Sequence, residues 1–184
     1  MHLVLVRHTK PVMNSDICYG NLDIGLAPTF EADCAAVQAI IPNVDRIFSS
    51  PLQRCRVLAE RIANVAGKGF VCDPALQEMN FGSWQGCKWD DVSISELDEW
   101  AEDFEDARPH GGESISQVRL RLKELVVSMG AWSDERILMV THAGVIRVLI
   151  AMCTQCDERD IQVDYGEVIE LLLPTTKELL DGIG

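Results

Sequence analysis

Two spacings of hydrophobic residues alternate along this chain. Short apolar runs, typical of buried strands, are followed by segments in which apolar residues recur every three or four positions, as on one face of a helix. Strands are predicted near residues 3–6, 46–48, 70–72, 136–141 and 167–173, and the first helix presents Phe30, Cys34, Val37 and Ile41. This alternation favours an α/β fold over segregated strands and helices.

Two helix starts carry local signals. Ser50 is a plausible N-cap, Pro51 would occupy the first helical position, and Gln53 completes a capping-box pattern. Arg54 would then lie in the first turn of a helix whose inward face holds Leu52, Cys55, Ala59, Ile62 and Ala66. Further along, Ser114 with Gln117 predicts a second capping box, before a helix with Ile115, Val118, Leu122, Leu125 and Met129 on one side. A helix over 143–153 is apolar nearly all round, which indicates burial.

Residues 73–112 look irregular apart from one amphipathic helix that carries Ile94, Leu97, Ala101 and Phe104. The other face of that helix is strongly acidic, as expected of a solvated surface. The same segment could also form a lid or insertion that filters substrates. Both interpretations are compatible with the sequence.

The charge balance narrows the possible partners. The net charge of −13 leaves no general basic surface for nucleic acid or for an anionic membrane. No apolar run is long enough to span a bilayer, and the N-terminus lacks the features of a signal peptide, so we expect a cytoplasmic protein. The seven cysteines fit buried thiols in a reducing compartment. Cys153 and Cys156 form a CxxC pair. Zinc binding is disfavoured because no second pair completes a tetrahedral site, and redox chemistry is disfavoured because the pair lies at the end of a predicted helix rather than at a helix N-terminus.

Basic groups follow several predicted strands in spite of the acidic composition. Arg7 and His8 follow the first strand, Arg54 follows the second, and His142 follows the strand at 136–141. Strand ends form the sites of open α/β sheets, so these groups would converge on an anion such as a phosphoryl group. A neutral His8 could attack phosphorus, the arginines could bind the equatorial oxygens, and Glu78 could protonate the leaving oxygen. Any one of these residues could instead be merely structural.

Five ordered motifs over nearly the whole chain resemble the histidine phosphatase superfamily, the phosphoglycerate-mutase-like enzymes. The matching segments are Val6-Arg7-His8, Ser49–Arg54, Leu76–Gly86, Gly111–Ser114 and Val140–Arg147. The resemblance implies one domain over residues 1–184, folded as a three-layer α/β/α sandwich with a mostly parallel central sheet.

The same resemblance assigns roles to residues. It implies catalytic roles for His8, Glu78, His142, Arg7 and Arg54, and substrate binding by Arg7, Asn14, Arg54, His142 and Ala143. Thr9 and Lys10 stand where the family usually has Gly and Glu, and Gln85 and Ala143 also depart from common family residues. None of these departures removes a catalytic group.

The resemblance implies a metal-independent phosphatase that acts on a small phosphomonoester through a phosphohistidine, with no cofactor. Cys18-Tyr19-Gly20 and Arg54-Cys55 are similar to a subgroup labelled α-ribazole phosphatase, which acts in cobalamin assembly. A mutase and a non-catalytic phosphate-binding module remain alternatives, as does a thiol or zinc protein built on the cysteines. The exact substrate and the oligomeric state stay open.

Overall fold

A mostly parallel sheet forms the centre of the computed structural model, which describes residues 1–154 and 156–173. Within that part of the chain its strands are β1 (His2–Arg7), β2 (Arg46–Ser49), β3 (Val71–Cys72), β4 (Arg136–Thr141) and β5 (Val168–Leu172). Their order across the sheet is β3-β2-β4-β1-β5, and β5 alone runs antiparallel to its neighbour. The last residues of the predicted domain, beyond Leu173, lie outside the described part.

Helices cover both faces of the sheet. They are α1 (Phe30–Ile40), α2 (Gln53–Ala66), α3 (Ile94–Glu102), α4 (Ile115–Ser128) and α5 (Ala143–Thr154). Because side chains alternate along a strand, Val4 and Val6 of β1 pack with α1 and α2, whereas Leu3 and Leu5 pack with α4 and α5. The predicted three-layer α/β/α sandwich is therefore confirmed. No helix in the described residues is both long and apolar enough to span a bilayer.

The register of the sheet brings distant segments together at its functional edge. Arg7 of β1 pairs with Thr141 of β4, so the next residues, His8 and His142, leave neighbouring strands side by side. Strand β2 lies on the other side of β4 and ends one residue before Ser50. Three chain segments thus deliver polar side chains to one place.

The start of α2 differs from the prediction. The helix begins at Gln53 with Leu52 as its N-cap residue, and no side chain caps it. The predicted capping box with Ser50 is wrong, because the Ser50 hydroxyl is hydrogen-bonded to His142 Nε2 (2.9 Å) and accepts only a long bond from the Leu52 N–H (3.3 Å). Ala66 is exposed rather than inward, while Leu58 and Ala63 complete the buried face. The predicted capping box at Ser114, in contrast, is confirmed.

Residues 73–112 contain α3 and three short 3-10 turns, at Pro74–Leu76, Gly82–Trp84 and Trp89–Asp91. The predicted helix is present, but its predicted apolar face is only partly covered, since Ile94 is 76% exposed and Ala101 is also exposed. The inner surface of the segment forms a small aromatic cluster around Trp84. This segment therefore stands as one wall over the edge of the sheet.

Candidate active site

A cavity of about 530 Å³ opens where the carboxyl ends of β1 and β4 meet the 73–112 segment. Three predicted site residues, Arg7, Glu78 and Ala143, line this cavity, together with Gly144. His8, Arg54 and His142 are not among the lining residues and are almost completely buried, each at most 1% exposed. The predicted residues of the three strand ends therefore do come together.

His8 is held in one tautomer. Its Nδ1 lies 2.7 Å from the carbonyl oxygen of Thr9, and a carbonyl can only accept, so Nδ1 carries the proton. Burial, reinforced by the Arg54 guanidinium, holds the pKa of His8 well below its usual value of 6.5. The ring is therefore neutral at physiological pH, and Nε2 retains a lone pair.

His142 lies next to His8, with ring centroids 5.2 Å apart and the rings edge to face. Its Nε2 is 2.9 Å from the Ser50 hydroxyl and 3.4 Å from Cys55 Sγ. Burial, together with the nearby His8, lowers the pKa of His142 as well. Two neutral imidazoles thus share one buried site, and the contacts of Ser50 and Cys55 with the second ring were not foreseen from the sequence.

The two arginines each hold loop carbonyls and keep a spare donor. Arg54 donates through its Nη atoms to the carbonyls of Leu22 (2.6 Å) and Gly20 (2.7 Å), and Arg7 donates to the carbonyl of Val163 (2.6 Å). The Nε atoms of both arginines are buried without an acceptor in the described residues. Buried donors of this kind are costly unless a ligand accepts from them, so they indicate an anion site.

Two tyrosines lie beside these residues and line the cavity. The Tyr19 and Tyr165 hydroxyls are hydrogen-bonded at 2.8 Å, and burial raises the pKa of Tyr19. Tyr165 also stacks on Arg7, whose Cζ is 3.7 Å from the ring centroid, and its ring lies 5.6 Å from that of His8. Tyr19 belongs to a motif quoted above, whereas nothing in the local sequence distinguishes Tyr165, which reaches the site through the loop before β5.

Glu78 is half-buried on the same side of the cavity. Its Oε2 accepts a hydrogen bond from the Gly144 backbone N–H (3.2 Å), and its Oε1 accepts one from the Met79 N–H (3.0 Å). The carboxylate is thereby fixed against the first turn of α5, directly after His142.

The remaining predicted residues divide into two groups. Ala143 lines the cavity, as expected of a substrate-binding residue. Asn14 is exposed and, within the described part of the chain, is not among the residues that line the cavity, so its predicted binding role finds no support in this geometry. Thr9 is buried with its hydroxyl unpaired among the described residues, and Lys10 is exposed.

Metal-binding and thiol chemistry find little support in the same residues. No cluster of three or more His, Cys, Asp or Glu side chains suited to a metal ion occurs in residues 1–154 and 156–173. The seven cysteines are all free thiols. Burial raises the pKa of Cys153 to about 11, which disfavours a reactive thiolate at one half of the CxxC pair.

Comparison with known proteins places these residues in context. A sequence model of the histidine phosphatase superfamily (branch 1) matches residues 3–179. The adenosylcobalamin/alpha-ribazole phosphatase of Salmonella typhimurium is 29% identical over 82% of this chain and 78% of its own length. The glucosyl-3-phosphoglycerate phosphatase of Mycolicibacterium vanbaalenii is 30% identical over 81% of this chain and 72% of its own. The crystal structure of a phosphoglycerate mutase from Thermus thermophilus is 27% identical, covers 95% of both chains and superposes with a TM-score of 0.76.

Proposed function

Since the chain belongs to the histidine phosphatase superfamily, we propose that it is a metal-independent phosphatase that hydrolyses a small phosphomonoester. The observation that carries this proposal is the convergence of two imidazoles and two spare guanidinium donors, one of them, Arg7, in the lining of the cavity. The rings are 5.2 Å apart, and Glu78 stands at the side. Neutral histidines beside arginines suit the binding and transfer of a phosphoryl dianion.

In the first step, His8 Nε2 attacks phosphorus and the bond to the ester oxygen breaks. The protonated Glu78 side chain gives its proton to the departing oxygen, so an alcohol leaves and a phosphohistidine remains. Thr9 keeps the opposite nitrogen protonated, which directs the attack to Nε2. The Nε donors of Arg7 and Arg54 stabilise the charge on the transferring group.

In the second step, water attacks the phosphohistidine. The Glu78 carboxylate takes a proton from that water, the P–N bond breaks, and inorganic phosphate leaves with His8 restored. Fixed by Ser50 and Cys55, His142 supplies a hydrogen bond to the phosphoryl oxygens in both steps. No step needs a metal ion, so chelators should leave the rate unchanged.

Relatives named for different phosphate esters leave the substrate open. α-Ribazole 5′-phosphate, the ester of a cobalamin precursor, is one candidate because a 29% identical relative carries that name. A mutase that returns the phosphoryl group to its substrate is the alternative, favoured by the similarity to the Thermus thermophilus mutase structure. A non-catalytic phosphate-binding module is disfavoured, because nucleophile, anion donors and acid are all present. The free cysteines also agree with the cytoplasmic location proposed from the sequence.

The test is a phosphoester panel, including α-ribazole phosphate, phosphoserine and 3-phosphoglycerate, with phosphate release and isomerised product measured separately. We expect phosphate release, acid-labile phosphate on His8 in quenched reactions, and no turnover by His8→Ala. His2→Ala, at the opposite end of β1, is the control and should retain full activity. Turnover by His8→Ala, or an inert wild-type protein across the panel, would reject the proposal, and isomerised product would favour the mutase.

A further inference from the structure

The proposed phosphatase mechanism gives no role to the Arg147 cation. It lies on α5, one turn beyond Ala143 and Gly144 on the same side of the helix, and it lines the cavity. Its Nε is buried without an acceptor among the described residues. Burial, together with the Arg7 charge, lowers the pKa of Arg147, while Glu78 opposes this effect.

Among the described residues, Arg147 shares its lack of a carboxylate partner with Arg7 and Arg54, the arginines of the proposed phosphate site. Six other arginines, among them Arg119 and Arg121 on α4, lie within 4.0 Å of a carboxylate. In the described residues Arg147 has no such ion pair, although the sequence holds 29 acidic residues. A partly desolvated guanidinium without a counter-ion is costly, and a bound carboxylate would offset that cost through a two-point contact.

The same cavity has an aromatic wall. Trp89, Trp100, Phe81 and Phe104 all line the cavity. The rings of Trp100 and Phe104 lie 5.0 Å apart, and those of Phe81 and Trp89 lie 5.7 Å apart. Trp100 Nε1 is a further buried donor that lacks an acceptor within the described residues. Cavities of several hundred Å³ with such walls bury ring-sized apolar groups.

We propose that this outer part of the cavity is a leaving-group subsite, in which a ring-containing alcohol stacks against the aromatic wall and places a carboxylate on Arg147. The inference rests on the proposed phosphatase function and names its substrate class: small phosphate monoesters whose leaving alcohol carries an aromatic ring and a carboxylate. Phosphoserine, which has a carboxylate but no ring, would leave the aromatic wall uncovered.

The test compares two synthetic esters with equally basic leaving alcohols, 3-phenylpropyl phosphate and 3-(4-carboxyphenyl)propyl phosphate. Wild-type kcat/KM should be about tenfold higher for the carboxylated ester, as expected for one charge-assisted contact. Arg147→Gln should abolish that preference and leave kcat/KM for 3-phenylpropyl phosphate within about twofold of the wild-type value. Arg61→Gln, which removes an exposed arginine paired with Glu31, is the matched control and should keep the preference.

The stacking of the ring against the aromatic wall is tested with propyl phosphate as the reference substrate without a ring. Wild-type protein should prefer 3-phenylpropyl to propyl phosphate by about tenfold or more, because the ring removes apolar surface from water. Trp100→Leu should reduce that ratio.

Equal slowing of both aryl esters by Arg147→Gln would overturn the inference, since it would mean that Arg147 merely positions Glu78. Equal kcat/KM for the two esters in the wild type, or no preference for the ring, would also overturn it. p-Nitrophenyl phosphate distinguishes a failure of the proposed subsite from a failure of the proposed phosphatase function. If the wild type hydrolyses p-nitrophenyl phosphate but none of the three propyl esters, only the leaving-group subsite is rejected. A wild type that hydrolyses none of these esters rejects the phosphatase function itself.

Discussion

The Gly144 backbone N–H donates a hydrogen bond of 3.2 Å to Oε2 of Glu78, so the residue two positions after His142 fixes the proposed acid. A Cβ at this position would lie 2.5 Å from Glu78 Oε1, so any larger residue would push the carboxylate aside. One backbone position therefore couples the acid to the helix that follows the second histidine.

Gly144→Ala should displace the Glu78 carboxylate and lower kcat by about tenfold to a hundredfold, because small misplacements of catalytic groups are costly. Steady-state kinetics measures the loss, and circular dichroism checks that the fold persists. Gly69→Ala is the control, since a Cβ there meets nothing within 4 Å. An unchanged kcat in Gly144→Ala would show that the position of Glu78 is unimportant.

Glu78→Gln should slow esters with poor leaving groups most, because only these need a proton on the departing oxygen. The measurement is a plot of log kcat/KM against leaving-group pKa for a series of phosphate esters. The slope should become steeper in the variant. Parallel lines for wild type and variant would argue against general acid catalysis by Glu78.

Ser50→Ala should lower kcat about tenfold by leaving His142 Nε2 without its 2.9 Å partner. The loss should appear in the rate of phosphoenzyme formation, measured by rapid quench, with the His8 site still phosphorylated. Ser95→Ala, on the exposed face of α3, is the matched control. Full activity in Ser50→Ala would assign the orientation of His142 to Cys55 and the backbone alone.

The lowered pKa of His8 makes stability depend on pH in a defined direction. Below about pH 6.5 the unfolded chain binds a proton at this residue that the folded protein does not bind, so stability is lost as the pH falls. The loss is at most about 1.4 kcal/mol per pH unit for one histidine. It should continue until the pH reaches the lowered pKa.

Urea unfolding of wild type and His8→Gln between pH 7 and 5 checks this expectation. The free energy of unfolding should fall less steeply with decreasing pH in the variant. His2→Gln, at the surface end of β1, controls for the loss of a histidine elsewhere. Identical slopes for His8→Gln and wild type would contradict a neutral, buried His8.

Local patterns were sufficient for the sheet, the helices and the strand-end groups. The limits of β4 were predicted to the residue, since a run of buried apolar side chains has abrupt polar ends. His8, Arg54 and His142 were recognisable because strand ends of a parallel sheet converge, and the register of β1 with β4 places the two histidines together.

Long-range contacts account for the features that local sequence patterns did not predict. Ser50 carries a local helix-cap signature, yet its hydroxyl is engaged by a histidine 92 positions away. Tyr165 resembles an ordinary loop residue until the fold places it beside Arg7. Arg147 ends a matched motif, but its place in the cavity lining was not predicted. The binding role of Asn14 stays a prediction from its motif position, since this exposed residue is not among those that line the cavity in the described part of the chain.

The excess of acidic residues, 29 against 16 basic ones, also affects how fast a substrate arrives. A phosphate dianion must diffuse through a repulsive field before the buried guanidiniums can capture it, so encounter is slower than for an uncharged molecule. Dissolved salt screens that field over a distance of about 8 Å at physiological ionic strength. Added salt should therefore speed association, and polyphosphorylated metabolites should be repelled more strongly than monoesters.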